Sequence, residues 1–342
     1  MPAPADAAGS PSPPPPTLTD VALRAGVSTA TASRVLTGSA RVSEETNRRV
    51  QEAIAQLGYV RRRAPRAHRS GGGSIAAIVT ESSQRFFSDP FFARLLHGAS
   101  RALAPAGYQL AFVAVQDRSE YVAAARFVQR GVDGVLLVSS HGSDPLMPVL
   151  DTARVPTVLC GRPLAEHGAP YVDTDNYGGA QAAVHHLLAA GRQRIGTIAG
   201  PRDMAASQDR LRGFTEALAA TGLEPVVDLG DFSLESGERA MTRLLRRRPD
   251  LDAVFAASDL MAAGALRSLR RAGRRVPDDV AVIGFDDDPV AQYTHPPLST
   301  IRQPVEEQGS TMARHILALI ENRTPPGPRT LLPTTLVCRE SA

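Results

Sequence analysis

The chain has 342 residues, a formal net charge of +3 and only two cysteines. That length is sufficient for one small and two medium-sized domains. Two cysteines exclude a disulfide-rich scaffold, and Cys160 and Cys338 are predicted to be buried free thiols in apolar, strand-like segments. No apolar stretch approaches the ~20 residues of a membrane span, so no membrane partner is expected.

The first sixteen residues, MPAPADAAGSPSPPPP, form a segment of their own. They lack the basic start and the apolar run of a secretion signal. They are also too rich in proline to fold, so residues 1–16 are predicted to be a disordered extension.

Residues 17–60 contain three short helical patterns. The first ends at a tight turn at Gly26, where only a small residue suits the backbone. Ser28 is a predicted cap for the second helix, Thr29 to Leu36, and Ser43 begins the third with a hydroxyl cap and an acidic first turn. The apolar residues recur at helical spacing and can close one small core: Leu18, Val21, Ala22, Ala32, Val35, Leu36, Val50, Ile54 and Leu57.

The second helix leaves Thr29, Ala30, Ser33 and Arg34 pointing outward near its N-terminus, where a recognition helix contacts base edges. A three-helix bundle without a DNA partner is the alternative, since this geometry also occurs in other proteins. Charge favours DNA. Residues 1–73 hold ten Arg against five acidic residues, whereas the rest of the chain is slightly acidic.

Residues 61–74 form a basic segment that runs into glycines and is predicted to link two domains. From residue 75 onward, apolar strands alternate with amphipathic helices, which is typical of parallel sheets covered by helices. Two similar α/β lobes with a cleft between them are therefore expected. The predicted strands are 75–79, 108–115, 134–138, 155–160, 194–199, 226–229, 253–256 and 280–284, and the predicted helices are 91–104, 121–129, 178–190, 208–220, 237–246 and 259–271.

The sequence contains no convincing catalytic motif. His185 and His186 are adjacent, so they face different ways on a helix, and no Cys or Glu lies at metal-ligand spacing. Ser207 and Ser258 lack a G-x-S-x-G elbow, and no phosphate-binding glycine loop occurs. No enzymatic activity, metal or cofactor is expected.

The sequences VALRAGVSTATASRVLTG and VSEETNRRVQEAIAQLGY resemble the DNA-binding head of the lactose-repressor (LacI/GalR) family of bacterial transcription factors. Further similarity follows at SDPFFARLLHGA, VDGVLLV, VPTVLCGRP, FAASDLMAAGALRSL and VAVIGFDDDPVAQYTHPPLSTIRQP, so the resemblance extends from about residue 18 to about residue 337. It implies a helix-turn-helix domain joined to an α/β effector domain of periplasmic-binding-protein fold.

The resemblance implies that Thr29, Ala30 and Arg34 contact bases in the major groove. An Arg can donate to both acceptors of a guanine, whereas Thr and Ala offer a hydroxyl and a methyl group. Other polar residues would contact the DNA backbone without conveying sequence information. These are Thr17, Ser28, Ser33, Asn47 and Tyr59.

In the family, the linker folds on DNA as a hinge helix that wedges a leucine into the minor groove. His68 occupies the wedge position here, and Pro65 replaces a usual alanine. Histidine is a poorer wedge, so a basic linker contacting the minor groove through Arg66, His68 and Arg69 is favoured over a hinge helix.

The effector domain is expected to cross between lobes three times, near residues 161–164, 287–289 and 323–328. The first lobe would comprise residues 75–161 and 290–323, and the second 162–289 and 324–342. Effector contacts are expected at the carboxyl ends of strands facing the cleft. From the first lobe these are Ser82 within residues 81–83, Phe87, Phe91 and Ser139, and from the second Arg162, Asp175, Arg210, Ser258 and Asp286.

Arg210 and Asp286 match family positions that commonly touch the effector. For each of the others, the alternative is a helix cap, a loop turn or a solvated charge. Ser258 replaces a usual asparagine and Gly161 a frequent aspartate, so the ligand cannot be assigned by analogy with one member.

The sequence therefore predicts a cytoplasmic, homodimeric transcriptional regulator, most simply a repressor, that binds a pseudo-palindromic double-stranded operator. A small-molecule effector would control it, with a sugar or sugar derivative favoured over a nucleoside or purine. The alternative is a sugar receptor of the same fold that does not bind DNA.

Overall fold

A computed structural model describes residues 16–37, 42–57, 73–142 and 144–342, with the side chains of residues 36, 37 and 130 excepted. The chain divides into two units, residues 1–70 and residues 71–342. The predictions for the proline-rich extension up to residue 15 and for the linker fall outside the described residues. So do those for Tyr59, Pro65, Arg66, His68 and Arg69.

The described residues of the first unit form the three predicted helices: α1 (Leu18–Ala25), α2 (Thr29–Thr37) and α3 (Glu44–Leu57). Gly26 ends α1 with φ of 63°, the left-handed conformation expected of the turn. Val21 and Val50 are fully buried, and Ala53 joins this core although the sequence analysis did not include it.

The second unit contains two six-stranded sheets, one in each lobe. The first lobe has the order β11-β5-β4-β3-β1-β2, with every pair parallel. Its strands are β1 (Ser74–Val79), β2 (Gln109–Ala114), β3 (Gly134–Val138), β4 (Thr157–Cys160), β5 (Tyr171–Thr174) and β11 (Arg329–Leu332).

The second lobe has the order β12-β10-β9-β8-β6-β7, and only β12 runs antiparallel to its neighbour. Its strands are β6 (Ile195–Ala199), β7 (Val226–Leu229), β8 (Ala253–Ala256), β9 (Ala281–Asp286), β10 (Ser299–Arg302) and β12 (Thr335–Val337).

Helices cover both faces of each sheet. They are α4 (Ser83–Ser88), α5 (Pro90–Leu103), α6 (Arg118–Gly131), α7 (Met147–Ala153), α8 (Asn176–Ala189), α9 (Ala205–Ala219), α10 (Leu234–Arg247), α11 (Asp259–Arg271), α12 (Val290–Tyr293) and α13 (Val305–Ile320). No helix of the described residues is long and apolar enough to span a membrane.

The predicted lobe boundaries are wrong. β5 lies in the first sheet, so the chain leaves the first lobe after Thr174 and not near Gly161. β10 still belongs to the second sheet and α13 packs on α5, so the return lies at Gln303 and Pro304. The last crossing lies at residues 333–334, between β11 and β12.

Glycine allows α5 and α13 to pack closely in the first lobe. A Cβ atom on Gly98 would lie 2.0 Å from the carbonyl oxygen of Glu306, and one on Gly309 would lie 2.0 Å from that of Leu95. These helices pack against the buried strands that carry the first-lobe residues of the cleft.

Neither thiol is fully buried as expected, since Cys160 is partly exposed and Cys338 is exposed. Cys160 lies at the end of β4, where burial raises its thiol pKa well above the usual value. Cys338 is exposed, because it follows β12 at the surface of the second lobe.

Candidate functional site

The predicted base-contacting residues lie together on α2. Thr29, Ala30 and Arg34 are exposed, and Ser33 is partly exposed on the same helix. Ser28 caps α2, because its Oγ accepts a hydrogen bond from the Thr31 N–H at 3.1 Å. The first unit thus presents the N-terminal half of its second helix to solvent, which is the arrangement a recognition helix requires.

The predicted backbone contacts also lie on the surface of this unit. Thr17 caps α1 and donates from Oγ1 to Asp20 Oδ2 at 2.6 Å, and this bond lowers the pKa of Asp20. Asn47 is exposed in the first turn of α3. Arg49, also on α3, donates to the carbonyl oxygen of Gly26 at 3.3 Å and so fixes the turn before α2.

Arg210 lies at the centre of the polar residues that line the second lobe. Its guanidinium group lies 3.6 Å from the centre of the Phe285 ring, and the Phe232 ring lies 5.9 Å away. Nε donates to Asn176 Oδ1 at 2.8 Å, and Nη1 donates to the carbonyl oxygen of Ala257 at 2.6 Å. The charge is therefore held rigidly in a buried position.

Asp286, the second residue favoured by the sequence, lies 3.5 Å from Arg210 Nη1. Gln303 donates from Nε2 to its Oδ1 at 2.6 Å. Asp286 has φ of 119°, a conformation that non-glycine residues rarely adopt. Burial raises the pKa of Asp286 well above its usual value, although Arg210 opposes the shift.

Asp175 is not the carboxylate of this cluster. Its side chain caps α8 by accepting from the Gly178 N–H at 2.8 Å. Asp173, two residues earlier, is the buried acid, and it accepts from the backbone N–H of Arg162 at 2.9 Å and from Asn176 Nδ2 at 3.0 Å. The two positions lie on either side of the first crossing, which the sequence analysis misplaced.

Two predicted serines are helix caps. Ser82 accepts from the Arg85 N–H at 3.1 Å and begins α4. Ser258 accepts from the Met261 N–H at 3.2 Å and begins α11, and it is buried beside the carbonyl oxygen of Phe232. The helix-cap alternative therefore describes both of them.

Ser139 is buried after β3 and has φ of 63°. Its hydroxyl donates to Glu81 Oε1 at 2.7 Å. His141 Nε2 lies 3.2 Å from the same oxygen. These residues form a polar cluster on the first lobe.

Phe91 and Phe87 differ in position. Phe91 is partly buried at the start of α5, with its ring centre 5.4 Å from that of Phe92. Phe87 is 77% exposed, and it packs against Phe86 and Phe112 at the outside of the first lobe.

Arg162 lies in the first lobe, not in the second as predicted, because it precedes β5. Its Nη2 forms an ion pair with Asp209 Oδ2 of α9 at 3.0 Å. Arg85 donates to the carbonyl oxygen of Asp231 at 2.6 Å, and His141 Nδ1 lies 3.0 Å from Asp203 Oδ2. These three contacts join the lobes, so the cleft is closed in this structure.

Besides Asn176 and Asp173, the sequence analysis missed Asp89, Gln303 and Phe232 near Arg210. Asp89 caps α5 by accepting from the Phe91 N–H at 3.0 Å, and burial raises its pKa to about 6. The charges of Arg210 and Asp89 influence each other across the cleft. Gln303 follows β10 directly, a position that could have identified it, whereas nothing in the sequence distinguishes Phe232.

The cluster is rich in acids that are held in low-polarity surroundings. Burial also raises the pKa of Asp259 and Asp288, and Arg94 partly offsets the effect on Asp288 through a 2.9 Å ion pair. Carboxylates, a guanidinium group and aromatic rings together suit a neutral polyhydroxylated ligand, whose hydroxyl groups can donate and accept. Among the described residues, no group of three or more His, Cys, Asp or Glu side chains could hold a metal ion.

Comparison with known proteins identifies both units. Residues 17–62 match the model described as "Bacterial regulatory proteins, lacI family", and residues 184–342 match the model described as "Periplasmic binding protein-like domain". The HTH-type transcriptional regulator CelR of Thermobifida fusca is 46% identical over 334 residues, which cover 95% of this chain and 98% of CelR.

Two solved structures are similar over nearly the whole chain. The complex of transcriptional regulator CelR with cellobiose is 45% identical, with a TM-score of 0.77 over 96% of this chain and all of that one. The lac repressor dimer bound to operator and the anti-inducer ONPF is 26% identical, with a TM-score of 0.70 over 96% of this chain and 99% of that one. These proteins are transcriptional regulators and not enzymes.

Proposed function

Because the chain belongs to the lacI family of bacterial regulatory proteins, it is a DNA-binding transcriptional regulator, and we propose that it is a repressor controlled by a sugar. Its operator would be pseudo-palindromic, since a two-fold dimer presents two recognition helices to two equivalent half-sites. Such a regulator would act in the bacterial cytoplasm. The alternative of a receptor that does not bind DNA is set aside by the family assignment.

The observation that carries the sugar proposal is the closed cleft around Arg210. Burying a guanidinium group between two phenylalanine rings costs desolvation free energy, even with Asp286 3.5 Å away. Charged groups buried at such a cost are often found at functional sites. Sugars fit these surroundings, because carboxylates accept from hydroxyl groups and aromatic rings pack on the apolar faces of pyranoses. The similarity to the CelR–cellobiose complex makes cellobiose the first candidate.

Control of DNA binding would follow from coupling between sugar binding in the cleft and operator binding by the first unit. A sugar that binds the closed form of the cleft better than the open form shifts the equilibrium towards closure, and its effect on operator affinity must be reciprocal. Repression with release by the sugar is the proposed direction. Thr29, Ala30 and Arg34 would contact bases, while Thr17, Ser28, Ser33 and Asn47 would contact phosphates.

The test begins with a selection of genomic fragments by the purified full-length protein. The affinity for the enriched fragment is then measured by fluorescence anisotropy with cellobiose, maltose, ribose and nucleosides in turn. We expect a palindromic site whose affinity falls with cellobiose. Enrichment of no palindromic site would contradict the operator proposal. An affinity that responds to a nucleoside but to no sugar would contradict the sugar proposal.

A matched pair of variants tests the site. Arg210→Met should bind the operator but lose the cellobiose response, because it removes the buried guanidinium group. Arg212→Met, two positions along α9, changes a side chain that is 59% exposed and should respond like the wild type. Equal responses of both variants would show that Arg210 is not a contact.

A further inference from the structure

His141 bridges the lobes at the rim of the cleft. It lies in the loop after β3, and its Nδ1 is 3.0 Å from Oδ2 of Asp203 in the loop after β6. Its Nε2 is 3.2 Å from Oε1 of Glu81, which follows β1. Beside it, the Gly142 N–H donates to the carbonyl oxygen of Asp203 at 2.8 Å.

The ring thus lies between two carboxylates. A neutral imidazole has one N–H and one lone pair, so it can donate to only one of them and must turn the lone pair to the other. The imidazolium form donates to both. We propose that His141 is the positioning residue that holds the lobes closed for effector binding, and that it does so in its doubly protonated form. The effect on effector binding rests on the function proposed above.

The groups around His141 favour this form. Glu81 and Asp203 face it directly, and Asp144 lies nearby before α7. Arg85 of α4 opposes them, because its Nη1 lies 3.5 Å from Glu81 Oε1, and Tyr121 of α6 is influenced by both Glu81 and Asp144. The hydrogen bond to Glu81 is the main cause that raises the pKa of His141, while partial burial opposes it.

Asp203 is the partner that a neutral ring would release. The Glu81 side chain is only 10% exposed, so a lone pair turned towards its carboxylate would be poorly screened by water, even though Ser139 also donates to it. The Asp203 side chain is 56% exposed and can be hydrated when the ring no longer donates to it. The folded, closed form holds the proton more tightly than an isolated histidine does. The bridge is therefore complete at low pH and is lost as the pH rises through the raised pKa of His141.

Hydrogen exchange of the Gly142 amide measures this closure without a ligand. Protection factors of the full-length protein, which correct for intrinsic exchange, are compared between about pH 5.5 and about pH 8.5. We expect wild-type protection to fall about threefold to fivefold over this range, the effect of a partly exposed ion pair. His141→Gln should show low protection at every pH.

A matched control and a second variant keep the test decisive. His167 pairs with Asp151 at 3.0 Å within the first lobe, so His167→Gln should keep the wild-type pH dependence. Asp203→Asn removes the partner from the other lobe and should abolish the dependence even if His141→Gln folds poorly. Wild-type protection that does not change with pH, or a pH dependence that persists in His141→Gln, would overturn the proposal.

Calorimetric titration with cellobiose separates the two proposals. If both the sugar effector and the role of His141 are correct, the Kd of the wild type for cellobiose rises about threefold to fivefold from the lower to the higher pH. The Kd of His141→Gln should be the same at both pH values. If cellobiose does not bind at either pH, the proposed effector is wrong, and the exchange result alone decides the role of His141. Cellobiose binding with the same pH profile in both proteins would contradict that role.

Discussion

Asp89→Asn should stabilise the effector unit at neutral pH. The Asp89 carboxyl caps α5, but burial raises its pKa from 3.8 to about 6. The folded protein therefore binds this proton more tightly than the unfolded chain. The stability linked to the group is fully present below about pH 4 and is lost as the pH rises through about 6.

The shift in pKa gives the magnitude. A tenfold change in acid dissociation constant is worth about 1.4 kcal/mol, so the ionised carboxylate costs about 3 kcal/mol above pH 6. Asparagine keeps the cap to the Phe91 N–H and carries no charge. We expect a gain of about 2–3 kcal/mol at pH 7.5, or about 4–8 °C in the melting temperature of a unit of this size. At pH 4.5 the gain should shrink to about 1 kcal/mol.

Thermal unfolding of the full-length protein, followed by circular dichroism at both pH values, measures the effect. Asp117→Asn is the control, because Asp117 also caps a helix but is exposed, and its hydrogen bond from Ser119 lowers its pKa. That variant should be no more stable than the wild type at pH 7.5. A gain for Asp89→Asn that is the same at pH 4.5 and 7.5, or a loss at pH 7.5, would refute the reasoning. If Asp89 also contacts the sugar, the gain should be accompanied by weaker effector binding.

Three further predictions concern other parts of the chain. Gly98→Ala should destabilise the effector unit by about 2–3 kcal/mol in denaturant unfolding, because its Cβ would lie 2.0 Å from the Glu306 carbonyl oxygen. Gly168→Ala, with no atom within 4 Å of the new Cβ, should change the stability by less than about 0.5 kcal/mol. Arg34→Ala should lose about 1–3 kcal/mol of discrimination at one base pair per half-site, whereas Asn47→Ala should weaken all sites alike. An unchanged preference in a binding selection with Arg34→Ala would contradict the placement of the recognition helix. A thiol reagent should modify the exposed Cys338 faster than the partly exposed Cys160, whose thiol pKa is raised, and equal rates in the folded protein would contradict this difference.

The sequence predicts regular elements well where local signals agree. The bounds of α11 match the prediction at both ends, because Ser258 caps the helix and Gly273 turns the chain after it with φ of 69°. β3 and β8 also have the predicted bounds, since each is a short apolar run, and so does β7, which is apolar except for Asp228. Their positions depend on residues close in sequence.

The lobe boundaries could not be predicted in the same way. β5 is only four residues long and ends in Asp173 and Thr174, both buried, so it does not resemble a core strand. Its polar residues form hydrogen bonds with Arg162 and Asn176, which lie 11 and 3 residues from Asp173, and with Gln303, which lies 129 residues from Thr174. Without those partners, the pattern favours a crossing after β4, and the error then assigns Arg162 to the wrong lobe.

Distinguishing effector contacts from helix caps requires the backbone conformation as well as the residue type. In a parallel α/β sheet, the loop after a strand also begins the next helix, so each polar residue there can serve either purpose. Ser82, Asp175 and Ser258 are caps. By contrast, Ser139, Phe232 and Asp286 have φ of 63°, 68° and 119°, although none is glycine. Each such conformation costs about 1–3 kcal/mol and persists where the surrounding structure demands it, most often at functional sites. Ser139 and Phe232 lie in loops that follow strands, Asp286 is the last residue of β9, and residue type alone gives no sign of their conformation. Arg154, Asp287 and Asn322 also have positive φ, of 48°, 52° and 56°, so this conformation separates Ser139, Phe232 and Asp286 from the helix N-caps but does not by itself identify the site.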